Sequence, residues 1–96
     1  MTTTEVLSLL SQHKEYIQKQ FEVERIGIFG SYAKGTQNTM SDIDIYVEFQ
    51  HKTFDNLAGL WNYLEELYHT KVDLFHKHKH NNPTVLANIK KDVLYG

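Results

Sequence analysis

Residues 30–49, GSYAKGTQNTMSDIDIYVEF, place a Gly-Ser pair ten residues ahead of two carboxylates spaced Asp-x-Asp, and the rest of the chain must be arranged around them. From position 42 onward Ile43, Ile45, Val47 and Phe49 alternate with Asp42, Asp44, Tyr46 and Glu48, the two-residue period of a half-buried strand. One face is core and the other carries acid. Residues two apart on one strand face lie about 6 to 7 Å apart. Two ionised carboxylates there repel by about 2 to 3 kcal/mol at an effective dielectric near 20. A fold gains nothing from that arrangement. A hard divalent cation such as Mg²⁺ removes the penalty, held by one or two carboxylates together with substrate phosphate oxygens. Upstream, Gly30-Ser31 follows the apolar run Ile26 to Phe29 and precedes helix-forming Ala33 and Lys34. A helix starting there turns its free N–H groups and the Ser31 hydroxyl toward an anion. Phosphate at the turn and metal at the strand describe a nucleoside triphosphate site.

Gly30-Ser31, ten residues, then Asp42-x-Asp44 resembles the polymerase-β-like nucleotidyltransferase superfamily, in its minimal nucleotidyltransferase (MNT) branch, often paired with a HEPN-domain partner. The resemblance covers nearly the whole chain, because Val72-Asp73-Leu74 matches the family's third acidic strand. Gly30, Ser31, Gly35, Asp42, Asp44 and Asp73 match position by position. Lys34 stands where the family more often has Arg, which keeps the charge and loses the bidentate fork.

The expected fold class is α/β (α+β), a small mixed sheet flanked by helices in the order α-β-α-β-α-β-α, with sheet order and strand direction taken from the resemblance. Thr2-Thr3-Thr4-Glu5 offers a capping-box pattern, and Val6, Leu9, Leu10, His13, Ile17 and Phe21 recur at helical spacing, predicting a helix over 4–20. Residues 25–29 read as a strand, 31–35 as a turn and short helix, 36–41 as polar loop, and 42–49 as the acidic strand. A second long helix follows over 53–69. Its apolar positions sweep an arc of about 220°, against ~100° or more for an ordinary surface helix. That excess suggests that Trp61 or Tyr63 anchors a partner chain or a second copy, a homo- or hetero-oligomer through helix 53–69. Residues 71–76 read as a strand with Asp73 and Phe75 on one face and Val72 and Leu74 on the other. Asn82-Pro83 opens a last helix with Val85, Leu86, Ile89 and Val93 inward.

With 96 residues and no linker-like stretch, residues 1–96 form one domain with a modest core and little room for a second substrate-binding unit. The net charge is −2 and the pI about 6.3, so no basic field argues for direct nucleic-acid binding. The absence of cysteine excludes a disulfide framework and any Cys-based zinc site or nucleophile. The first residues lack the pattern of a signal peptide, and no stretch approaches the apolar length of a membrane span, so a cytoplasmic protein is expected.

Other features have plainer explanations. Glu48 shares the face of Asp42 and Asp44 but lies beyond them, and reads as a surface residue. His13, between Leu10 and Ile17, reads as a boundary core residue. His76, His78 and His80 alternate with lysines as in a solvated loop, and zinc would require convergence and supporting hydrogen bonds. Gly27 and Gly30 do not complete a Gly-x-Gly-x-x-Gly fingerprint, and no Gly-Lys-Ser/Thr exists, so dinucleotide-binding and P-loop readings fail.

The resemblance implies nucleotidyl transfer: an acceptor hydroxyl attacks the α-phosphate of ATP and pyrophosphate leaves. In that scheme Asp42 and Asp44 hold Mg²⁺, two ions in all. Asp73 completes the second metal position or takes the acceptor's proton. Gly30 and Ser31, with Lys34 and Gly35, hold the triphosphate. The acceptor implied is a hydroxyl side chain of a HEPN-type toxin, with this chain as the antitoxin. Two alternatives stay open, a non-catalytic module that neutralises its partner by occlusion and transfer to a small molecule such as an aminoglycoside.

Overall fold

Thr2 starts the first helix through a reciprocal cap. Its hydroxyl accepts from the Glu5 N–H and the Glu5 carboxylate accepts from the Thr2 N–H, satisfying two of the donors that a helix start leaves open. From there α1 (Thr3–Phe21) carries Val6, Leu10, Ile17 and Phe21 inward at helical spacing. Glu22 ends it in a left-handed conformation, and β1 (Val23–Phe29) begins at once. The computed structural model describes residues 1–38, 41–76 and 82–96. The remaining elements are α2 (Gly30–Lys34), β2 (Ile43–Phe49), α3 (Phe54–Tyr68), β3 (Val72–His76), α4 (Pro83–Asp92) and β4 (Leu94–Tyr95).

The four strands form one mixed sheet in the order β3-β2-β1-β4. β1 is antiparallel to β2 and to β4, whereas β2 and β3 run parallel through the α3 crossover. An irregularity in the β1–β2 ladder between Val23 and Arg25 shifts the alternation, so Val23, Ile26 and Ile28 are all buried. These three, with Ile43, Ile45, Val47, Val72 and Leu74, form the strand side of the core; α1 and α3 close it with Leu10, Ile17, Leu60, Leu64 and Tyr68. Burying an aliphatic side chain of this size contributes about 1.5 to 3 kcal/mol.

The opposite face departs from the acid-only expectation. Tyr46 is fully buried there, stacked on Phe75 with ring centroids 6.2 Å apart, and its hydroxyl donates to Glu48 at 2.8 Å. Phe29 meets Phe75 edge to face. Glu48 is accordingly no surface residue: its side chain is 18% exposed, with Lys90 Nζ 4.0 Å away. On that face Tyr46 packs against neighbours from its own and the adjoining strand, Phe75 and Glu48, rather than facing solvent.

The α4–β4 segment corrects two further expectations. No residue of α4 is fully buried, and Val85 is half exposed, because the helix lies at the border of the thin aromatic patch and not over the main core. Val93 is buried, but just past the helix end. β4 was not foreseen, since two residues are too short for a periodic signal; it pairs with Gly27 and Ile28, and the Gly96 N–H donates to Ile26 O. The helix, strand and turn ranges read from sequence otherwise hold to within two residues.

Two side chains of α3 expected to face a partner are engaged within the chain. Trp61 donates its indole N–H to Val72 O, and Tyr63 bonds His13 Nδ1, which places His13 at the core boundary as expected. Phe54, 81% exposed, and Trp61, 37% exposed, are the aromatics that α3 still presents to solvent. His78 and His80 lie outside the described residues, and His76 is the last residue of β3.

A Cβ at Gly27 would run into Val93 Cγ1 and the backbone of Leu94 and Tyr95, all within 3 Å. Gly27→Val is therefore expected to displace the α4–β4 segment and to cost about 1 to 3 kcal/mol. Chemical denaturation measures the loss, and hydrogen exchange should place it in residues 83–96 while α1 stays protected.

Candidate active site

Sheet topology brings three chain segments to one end of the sheet. β1 finishes where antiparallel β2 starts, and parallel β3 starts at the same level. In the ladders Phe29 stands opposite Asp44, and Asp44 opposite Asp73. The turn after β1 and the acids opening β2 and β3 therefore meet. Asp42 lies one residue before β2; the next residue, Ile43, already bonds the other strand's approach through its N–H to Lys71 O at 3.3 Å.

Gly30 is the point of closest approach. Its φ of +70° suits glycine, and a Cβ built on it would collide with Asp44 Oδ2. Any side chain there would push the turn off the carboxylate. Ser31 follows, half-buried, at the start of the five-residue α2. Gly35 ends α2 at φ +73° with open space around it, so backbone conformation alone selects it. The Thr36 N–H donates to Ser31 O at 2.9 Å and ties the turn closed. Lys34 is exposed and reaches Asp92 only at 4.0 Å, so it remains available on this side of the turn.

Asp42 and Asp44 are half-buried and Asp73 is exposed. Burial, then the charges of Asp73 and Asp42, then a hydrogen bond with Asp73 push the Asp44 carboxyl up from 3.8 to about 6. A proton on Asp44 relieves the crowding. A cation at the same place does so too, and three hard oxygen donors suit Mg²⁺. Among the described residues no three carboxylate or imidazole side chains enclose an ion by themselves, so phosphate oxygens or water would have to complete its shell.

Two clefts open on either side of the turn, and neither is lined by Asp42, Asp44 or Asp73 themselves. One, of about 260 Å³, runs from Phe29, Gly30 and Lys34 to Asn88, Ile89 and Asp92 of α4. The other, of about 420 Å³, lies beside Ser41 and Ile43 and is lined by Tyr32, Gln37 and Tyr68. Neither Asn88 nor Asp92 was singled out from sequence, because nothing local marks the polar side of α4 as facing Gly30.

The raised Asp44 carboxyl has a definite sign for stability. Folding favours its protonated form, so its contribution is fullest below pH 3.8 and is lost as pH rises through about 6. Asp44→Asn is expected to stabilise the chain at pH 8 by about 1 to 2 kcal/mol after allowance for solvent screening. The gain should shrink between pH 6 and pH 4. Urea titrations of both proteins in chelator at pH 8 and at pH 4 check it; equal stability at pH 8 would contradict the crowding.

Known proteins resemble the chain over most of its length. A Methanocaldococcus jannaschii protein, MJ1379, provisionally named a protein adenylyltransferase, is 39% identical over 97 residues, covering 98% of this chain and 97% of its own. The protein adenylyltransferase MntA of Thermococcus cleftensis is 36% identical over 95 residues, covering 98% of this chain and 91% of that one. A crystal structure of a toxin–antitoxin with AMP-PNP superposes with a TM-score of 0.61 at 27% identity, over 81% of this chain and 64% of that one. Residues 11–96 match the family model described as polymerase beta, nucleotidyltransferase, and the chain belongs to that family.

Proposed function

We propose that this chain transfers AMP from ATP to a hydroxyl side chain of a partner protein, a HEPN-type toxin that it thereby neutralises. One observation carries the reading: Asp44 is held against both Gly30 and Asp73 at one end of the sheet, in a chain of the nucleotidyltransferase family. The names of its relatives, and the AMP-PNP in a structural neighbour, support adenylyl transfer to protein within a toxin–antitoxin pair.

In this scheme the Gly30 and Ser31 N–H groups and the Ser31 hydroxyl hold the β- and γ-phosphates, with Lys34 adding positive charge and Gly35 shaping the turn. Asp42 and Asp44, with Asp73 for a second ion, would hold Mg²⁺, which supplies neutralisation of the charge developing on the phosphates. Where Asp73, the most open of the three, is not taken up by the second ion, it takes the acceptor's proton as the acceptor oxygen bonds to the α-phosphorus and the bond to the β-phosphate oxygen breaks, releasing pyrophosphate. The chain's own share is positioning and electrostatics. The acceptor's grip comes from the partner, and the exposed Phe54 on α3 is available to that contact.

Incubating the chain with ATP labelled on the α-phosphate, Mg²⁺ and lysate of its source should place label in a protein of the lysate. Asp44→Asn should reduce labelling by about 100-fold or more. Label in a small molecule would redirect the acceptor, and a partner neutralised without label would favour occlusion. Ser31→Ala should weaken ATP binding by about 1.5 to 3 kcal/mol, the value of a hydrogen bond to a charged group. Calorimetry showing unchanged affinity would remove the triphosphate from this turn.

A further inference from the structure

Among the described residues β3 is an outer strand, with β2 on one side and no strand on the other. In a parallel ladder alternate residues turn their backbone groups to opposite sides, and the outward groups of an edge strand lack ladder partners. Both groups of Val72 are instead taken by side chains of α3. The Trp61 indole N–H donates to Val72 O at 2.7 Å, and Glu65 Oε2 accepts from the Val72 N–H at 3.0 Å. Four residues apart, Trp61 and Glu65 stand one above the other on the helix. They grip a single residue from both of its peptide groups. The next residue is Asp73, which stands opposite Asp44.

Resting on the proposed role of Asp73, we infer that Trp61 and Glu65 are positioning residues for it, holding the start of β3 so that the Asp73 carboxylate stays beside Asp44. Burial alone does not account for them. Trp61 is 37% exposed, and an aliphatic side chain would cover the same core without an N–H to offer. Glu65 is partly buried, where a carboxylate needs a donor. Without the two bonds the first residues of an edge strand fray, and a small displacement of a reacting group is costly in rate.

Three variants test this: Trp61→Phe removes only the donor, Glu65→Leu removes the acceptor at similar volume, and Glu65→Gln keeps an acceptor oxygen. In Trp61→Phe and Glu65→Leu, amide exchange at Asp73 and Phe75, whose N–H groups face β2, should quicken about 5- to 10-fold, the loss of one net hydrogen bond, with α1 unchanged. The kcat for labelled transfer should fall about 10- to 100-fold while the KM for ATP stays within about twofold, since the triphosphate is held elsewhere. Glu65→Gln should restore both. Unchanged exchange in both deletion variants would overturn the inference, as would a fall in kcat that follows global stability, or a Glu65→Gln as impaired as Glu65→Leu. If the parent transfers no nucleotide, the proposed function fails, and exchange alone decides the positioning: local quickening sustains it and unchanged exchange ends it.

Discussion

The Asp44 carboxylate, pressed between the Gly30 backbone and Asp73, is the contact around which the rest of the structure is arranged. Several features exist only to permit it. Gly30 gives up a side chain and takes a left-handed conformation so that the turn can close on the acid. Parallel pairing of β2 with β3 sets a second carboxylate directly alongside, where antiparallel pairing would have put the start of β3 at the far end of the sheet. The resulting repulsion and desolvation oppose folding, and the core on the other face must outweigh them.

The sheet divides this labour between its faces. One face is a continuous aliphatic layer under α1 and α3, deep enough to hold a 96-residue chain together. The other combines the acids at one end with a small aromatic patch, Phe29, Tyr46 and Phe75, bordered by α4. Because α4 has no fully buried residue, it is held mainly through Val93, β4, the exposed Lys34–Asp92 pair and the contact of Lys90 with partly buried Glu48.

Local order in the sequence determined much of this. The alternation in 43–49, the capping box at Thr2, the Asn82-Pro83 start and the glycine punctuation at positions 30 and 35 are all short-range signals, each tied to a backbone geometry only a few residues long. The spacing from Gly30-Ser31 to Asp42 and Asp44 was equally legible, because a charge pair on one strand face is visible wherever the strand is placed. What the sequence could not decide was which residues meet across the sheet. The burial of Tyr46, the Tyr46–Glu48 bond, the pairing of β4 with Gly27 and the grip of Trp61 and Glu65 on Val72 all join positions through strand order and crossover. Periodicity reports which face a side chain occupies but not what lies over that face. Only the tertiary fold set Phe75 against Tyr46 and so buried an aromatic among the acids, and only it brought Asp73, 29 residues beyond Asp44 in the chain, alongside that carboxylate.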